Sequence, residues 1–119
     1  MPVEVIDAAG KVLQVKIWGM LKKADHERLI QTAKEAIARE GKIRALIFAE
    51  GFAGWERRED WGDVSFMMGE GQQIEKMAIV GEEKWRDDAL AFTAKGFRLT
   101  AIEFFPTSRL NEAHNWLKA

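Results

Sequence analysis

Apolar residues recur along the chain with the spacing of a strand in some segments and with the spacing of a helix in the segments between them. The most continuous apolar run, residues 44–49, predicts a strand covered on both faces, as is typical of a central parallel strand. A second apolar run at residues 77–80 predicts another buried strand, which Gly81 ends. Residues 3–7 and 13–17 alternate with period two around a turn, and this pattern predicts an N-terminal hairpin whose second strand ends at Gly19.

Helical periodicity fills the segments between these strands. Asp25 is the predicted cap of the first helix and Gly41 its stop. A weaker helix is predicted over residues 59–69, where several glycines reduce helix propensity. A third helix opens at Glu82 and Glu83. Each helix has a stripe of apolar residues that is predicted to face inward: Leu29, Ile30, Ala33, Ala36 and Ile37 in the first helix, Trp61, Val64 and Met68 in the second, and Trp85, Ala89 and Phe92 in the third.

The C-terminal part of the pattern predicts one more strand and one more helix. The strand is placed at residues 97–105, because apolar residues alternate up to Pro106, which cannot continue it. Ser108 is the predicted cap of the last helix, whose stripe is Leu110, Ala113 and Leu117, with Trp116 anchoring the C-terminus to the sheet. The whole chain then has the pattern ββαβαβαβα, which predicts a single α/β domain over residues 1–119 with a mostly parallel sheet.

Composition narrows the classes of function. The chain has 119 residues, of which 18 are Lys or Arg and 19 are Asp or Glu, so it has no broad basic surface and we expect no nucleic-acid partner. The absence of cysteine excludes disulfides, thiolate catalysis and cysteine-ligated metal. The N-terminal residues lack the pattern of a signal peptide, and no stretch approaches the roughly 20 apolar residues of a spanning helix. We therefore expect a cytoplasmic protein.

Large apolar rings follow the central strand, in a stretch rich in glycine. Residues 51–55 are predicted to form a loop at the carboxyl end of that strand, where ligands usually bind in open α/β sheets. Phe52 and Trp55 in this loop suit adaptable apolar recognition. The candidate ligand-binding residues are Phe52, Trp55, Trp61, Phe66, Met67 and Met68. Our hypothesis is that the weak second helix and its leading loop form a lid over an apolar pocket; the alternative is that Trp61, Val64 and Met68 only pack that helix onto the sheet.

A charged run follows the rings and offers a second kind of contact. Arg57 and Arg58 suit contact with lipid phosphates or with a partner, while Phe52 and Trp55 sit at the same interface. The alternative is a solvated start of the second helix, which the acidic residues of the run favour. Peripheral association with the inner membrane surface is therefore an expectation, alongside contact with a protein partner or with a second copy of the chain.

Catalytic and metal chemistry find little support in the residue pattern. His26 and His114 are the chain's histidines, and neither has another His or Cys at the spacing that a zinc site needs, so we expect both to be solvated helix residues. The paired carboxylates at residues 25 and 27, and at 60 and 63, fit helix N-termini as well as acid–base chemistry. No phosphate loop or nucleotide fingerprint is present. We expect no catalytic residue, no metal and no cofactor.

Several segments together resemble the SpoIIAA-like branch of the STAS superfamily, which is related to anti-anti-sigma factors. They are GMLKKADH at residues 19–26, GFAGW at 51–55, AIVGEEKW at 78–85, IEFF at 102–105 and EAHNWL at 112–117. The resemblance implies a compact STAS-type α/β fold and a non-enzymatic role. It also implies a link to lipid-like ligands and membrane surfaces, with open and closed arrangements of the helices.

The chain departs from its regulatory relatives at one position. Anti-anti-sigma factors carry a phosphorylatable Ser or Thr at the turn after the third strand, whereas this chain has no hydroxyl there until Ser65. The expected function is therefore a non-enzymatic module that binds an apolar or lipid-like small molecule. The alternative is a protein-interaction or regulatory module that acts through its aromatic loop without the usual phosphorylation switch.

Overall fold

The computed structural model describes residues 3–7, 11–57, 61 and 65–119. Its strands and helices follow the predicted order ββαβαβαβα. They are β1 (Val3–Asp7), β2 (Val12–Leu21), α1 (Lys23–Glu40), β3 (Ile43–Trp55), α2 (Ser65–Met68), β4 (Ile74–Gly81), α3 (Arg86–Phe92), β5 (Ala101–Pro106) and α4 (Leu110–Lys118). Short 3-10 turns at Glu70–Gln73, Glu83–Trp85 and Thr107–Arg109 lead into β4, α3 and α4.

The sheet has five strands in the order β1-β2-β3-β4-β5, antiparallel between β1 and β2 and parallel from β2 onward. Each parallel connection steps to the next strand in the same direction. Because such crossovers are right-handed, they place α1, α2 and α3 on one face. Ala33, Ala36 and Ala89 belong to the apolar core on that face, whereas Ala113 and Leu117 of α4 pack in a separate cluster with Leu46 and Ala78. The mixed α/β fold with an N-terminal hairpin is therefore confirmed.

The predicted loop at residues 51–55 is wrong, because this segment continues β3. Gly19, Met20 and Leu21 of β2 pair with Phe52, Gly54 and Trp55, so β2 also passes the glycine that was expected to end it. The register between β2 and β3 shifts beside Gly19, and φ is positive at Gly51 (+67°) and Gly54 (+106°). The pairing of the two strands continues through these irregular positions. The aromatic residues are therefore held on a paired strand.

The first helix and the last strand begin at other residues than the sequence predicts. Asp25 is the third residue of α1 rather than its cap, and its carboxylate accepts a hydrogen bond from the Lys22 backbone N–H at 3.2 Å. The last strand begins at Ala101, not at residue 97, and both Phe97 and Leu99 are 83% exposed. Apolar alternation alone placed these two side chains in the sheet, but no neighbouring strand pairs with them among the described residues.

The ends of the second and last helices also differ from prediction. The residue at the cap position of α4 is Arg109, so Ser108 is not its cap. Of the helix predicted over residues 59–69, the structure places residues 65–68 in α2, while residues 59, 60 and 62–64, including Val64, lie outside the described residues. Trp116 does anchor α4, since its ring lies 6.0 Å from that of Phe105.

Candidate functional site

An apolar cavity of about 150 Å³ lies between the sheet and the layer formed by α1, α2 and α3. Side chains of β2, β3 and β4 form its floor, among them Val15, Ala45, Ile47, Met77 and Ile79. Helix residues form its roof, among them Leu29, Ala33, Phe66, Met67, Ala89 and Phe92. The space exists because facing positions carry alanine and because α2 and α3, with 4 and 7 residues, are too short to cover the sheet. Ile47, although central in β3, consequently remains partly exposed.

Three aromatic rings close one end of the cavity. Phe52 meets Trp55 and Trp85 edge to face at 5.0 and 5.2 Å between ring centroids, and the two indoles are 6.0 Å apart. The indole N–H of Trp85 donates to the Phe52 carbonyl at 3.0 Å, which ties the start of α3 to the end of β3. Such ring geometry is favourable beyond area burial alone. The wall is therefore held by both packing and a hydrogen bond.

His26 belongs to the aromatic environment of the site and is not the solvated helix residue that the sequence predicts. Its imidazole contacts Phe92 at 5.2 Å and Trp61 at 5.7 Å, and it lines the cavity. Desolvation by these rings lowers the pKa of His26, partly opposed by Glu27. The ring is thus favoured in its neutral form.

The structure brings most of the predicted ligand-binding residues together. Phe52, Trp55, Phe66 and Met67 all line the cavity. Met68 is 44% exposed and does not line the cavity, so the inward position predicted for Met68 is wrong, and Phe66 and Met67 are the inward residues of α2. The difference arises because α2 is a single short turn whose orientation follows packing on the sheet rather than a long helical period.

Trp61 lies beside the cavity rather than in its lining. Its ring is 5.4 Å from that of Phe92, and its indole N–H donates to the Glu56 carbonyl at 2.9 Å. Trp61 therefore covers the outer side of Phe92.

The residues predicted to meet a membrane or partner are distributed differently. Phe52 is only 6% exposed, so its ring faces the core and not a surface. Trp55 is partly buried in the same wall, and Arg57 is exposed. Arg58 lies outside the described residues. No surface that combines these four residues follows from the described geometry.

Arg98 is a cavity residue that the sequence reasoning missed. Its guanidinium donates to the Gly71 carbonyl at 2.9 Å and to the Thr93 carbonyl at 3.3 Å. Burial lowers the pKa of Arg98. The predicted strand over residues 97–105 offered a signal, because its alternation puts Arg98 on the same face as Thr100 and Ile102, both of which are buried.

Ser65, the first hydroxyl after β3, is the exposed first residue of α2. Within residues 3–7, 11–57, 61 and 65–119, no group of three or more His, Cys, Asp or Glu could hold a metal ion. No described helix combines the length and apolar character needed to cross a bilayer.

The sheet order, the helices on its two faces and the cavity between sheet and helices define a STAS-type α/β domain. The family described as SpoIIAA-like matches residues 12–118, and the chain belongs to this family. It is similar to the crystal structure of an uncharacterized protein with a SpoIIAA-like fold from Shewanella loihica PV-4, with 25% identity and a TM-score of 0.68. That match covers 97% of this chain and 91% of the other. No curated protein matches the chain.

Proposed function

We propose that the protein is a non-catalytic binding module that takes a small apolar ligand into the cavity beneath α1 and α3. The observation that carries this proposal is the cavity itself: about 150 Å³ of space in the core, with a floor of aliphatic side chains and a wall of aromatic rings. Interiors are normally packed without voids of this size. An apolar lining of this kind favours an apolar guest.

The volume bounds the size of the ligand. A cavity of about 150 Å³ accommodates a body of roughly benzene size. A long lipid-like chain would therefore extend beyond the cavity, and a compact ring or short branched chain is the better fit. A lipid-like ligand fits the proposal only if the end of its hydrocarbon chain lies in the cavity and the rest of the ligand lies outside it.

The lining favours binding over catalysis. Its polar side chains among the described residues are His26, Thr93 and Arg98, beside the indoles of the wall. Thr93 donates its hydroxyl to the Ala89 carbonyl at 2.8 Å, an arrangement internal to α3 that leaves it poorly placed to act on a ligand. General acid–base or nucleophilic chemistry needs paired groups within hydrogen-bond reach of one another. The described lining offers rings and aliphatic surface instead.

Titration with toluene, followed by tryptophan fluorescence and by calorimetry, tests the proposal. The unmodified chain should bind toluene. Ala45→Leu, which puts three more carbons into the cavity and leaves too little space for toluene, should abolish binding. Ala78→Leu is the matched control, because Ala78 is equally buried but packs in the α4 cluster on the other face. Absence of toluene binding to the unmodified chain, or equal binding to the Ala45→Leu chain, overturns the proposal.

A second candidate function is contact with a membrane surface or a protein partner, favoured by Phe97 and Leu99. Both are 83% exposed and lie immediately before β5, an outer strand of the sheet. Large apolar side chains in such a pair are typical of interaction sites. Sedimentation with anionic liposomes detects contact with a membrane, and light scattering at rising protein concentration detects association between protein chains. The Phe97→Ser/Leu99→Ser double variant should lose whichever association the unmodified chain shows. Absence of both associations in the unmodified chain removes this candidate.

A further inference from the structure

Aromatic side chains from separate elements of the fold meet at the cavity. Among the described residues, five phenyl and indole side chains line it: Phe52, Trp55, Phe66, Trp85 and Phe92. They come from β3, from α2, from the 3-10 turn before α3 and from α3 itself. Four of the rings are in contact with one another, since Trp55 lies 5.1 Å from Phe92 and also contacts Phe52 and Trp85. The lining is therefore divided between a continuous set of rings and an aliphatic floor.

Contacts with the rest of the protein fix the orientation of two of these rings. The Trp85 indole donates its hydrogen bond to the β3 backbone, and it lies so close to Gly54 that an added Cβ there would be 3.2 Å from an indole carbon. Phe92 is held by His26 and Trp61, whose rings meet it edge to face at 5.2 and 5.4 Å between centroids. A guest therefore meets rings that are already ordered, and its binding energy is not spent on ordering them.

A lining of rings distinguishes an aromatic guest from a saturated one. An aromatic ring has a negative face and a positive edge, and two rings gain from edge-to-face or offset contact beyond the area that they bury. A ring that lines a cavity presents either its face or its edge to the space. An aromatic guest answers both, with its own edge against a face or its own face against an edge, whereas a saturated guest has neither. Two guests of equal size should therefore bind with different affinity.

We propose that the ligand of this cavity carries a single aromatic ring, and that the five rings of the lining favour it over a saturated body of the same size. This inference rests on the proposed function, because it names the ligand class of the same cavity. The volume of about 150 Å³ limits the guest to one ring of about benzene size. An alkyl chain buries area against the same rings but makes no edge-to-face contact with them, so it is the poorer ligand.

Titration of the unmodified chain with benzene and with cyclohexane, followed by tryptophan fluorescence in sealed cells, tests the proposal. The reference is the ratio in which hexadecane, a purely aliphatic liquid, extracts the two hydrocarbons from water, because this ratio reflects burial of apolar area alone. The ratio of the two binding constants should favour benzene over this reference by about fivefold or more, since one favourable ring pair accounts for about two- to tenfold. A ratio equal to that of hexadecane refutes the aromatic ligand and leaves the apolar module standing. Failure of both hydrocarbons to bind removes the proposed function itself.

Substitutions then locate the preference in the rings. Phe92→Leu and Phe66→Leu each replace one lining ring by an aliphatic side chain, and each should lower the preference for benzene over cyclohexane about threefold. Ile47→Leu is the matched control, because Ile47 lies in the aliphatic floor, and it should change this preference less than about twofold. If Phe92→Leu does not fold, the half-buried Phe66 and the unmodified chain still decide. Equal weakening of benzene and cyclohexane in the phenylalanine variants would contradict the role of the rings.

Discussion

Filling the cavity should stabilise the fold, although the same substitution elsewhere in the core destabilises it. Ala45 is 3% exposed and lies in the cavity floor, while Ala78 is 0% exposed and packs in the close-packed α4 cluster. The two residues are on adjacent strands, since Ala45 pairs with Met77 and Leu46 pairs with Ala78. They therefore differ mainly in whether space exists next to their methyl groups.

The number of carbons that the substitution buries sets the expected magnitude. Ala45→Leu adds three carbons, which contribute about 2.4 kcal/mol on burial. The immobilised leucine loses about 0.5–1 kcal/mol of rotamer freedom. We expect a net stabilisation of about 1–2 kcal/mol, whereas Ala78→Leu, which overpacks its site, should cost about 1–3 kcal/mol.

Urea unfolding followed by tryptophan fluorescence measures both changes. The midpoint should rise by up to about 1 M for Ala45→Leu and fall by a similar amount for Ala78→Leu. Saturating toluene should raise the midpoint of the unmodified chain, because it binds the folded state alone, and should leave the Ala45→Leu chain unchanged. If Ala45→Leu destabilises the protein as much as Ala78→Leu does, the cavity is not available space and the reasoning fails.

Three further predictions concern the surroundings of the cavity. Gly54→Ala should cost about 2–4 kcal/mol, because φ at Gly54 is +106° and an added methyl would lie 3.2 Å from a carbon of the Trp85 indole. Gly51→Ala should cost only about 1–2 kcal/mol, because φ there is +67° and the added methyl would meet no other atom. Equal urea midpoints for the two variants would contradict this difference. Because burial lowers the pKa of His26 below 6.5, the unfolded chain takes up a proton first as the pH falls. Stability should therefore be fully present above about pH 6.5 and decline below it, and His26→Gln should flatten this decline between about pH 7.5 and about pH 5; an unchanged decline would show that other groups cause it. Thr100→Val should cost about 1–3 kcal/mol in thermal or urea unfolding, because the buried hydroxyl donates at 2.6 Å to the Ile74 carbonyl in β4. Thr107 is exposed, and Thr107→Val should change stability by less than about 0.5 kcal/mol. Equal effects of the two threonine substitutions would refute the role assigned to the buried hydroxyl.

Aromatic packing distinguishes the end of β3. Anti-anti-sigma factors carry a phosphorylatable hydroxyl at the turn after the third strand. In this chain Phe52 and Trp55 continue that strand and close one end of the cavity. The tie between the Trp85 indole and the Phe52 carbonyl couples this strand end to the start of α3. A ligand that displaces either ring would therefore move both elements together.

Local periodicity was enough to determine the order of strands and helices and most of their inward faces. Leu13, Val15 and Ile17 are buried as their alternation predicts, and Ala33 and Ala36 face the sheet as the helical stripe predicts. These features depend on side-chain spacing within one segment, and that spacing is present in the sequence itself.

Tertiary structure decided the features that depend on distant segments. Strand β3 runs through Trp55 because β2 pairs with it, and the sequence between Gly51 and Trp55 carries no mark of that partner. His26 and Arg98 line the cavity because separate elements pack around them. The cavity itself exists because short helices and facing alanines leave space above the sheet. Periodicity records which side of an element is apolar, but the volume that remains between two apolar sides is a property of the assembled layers alone.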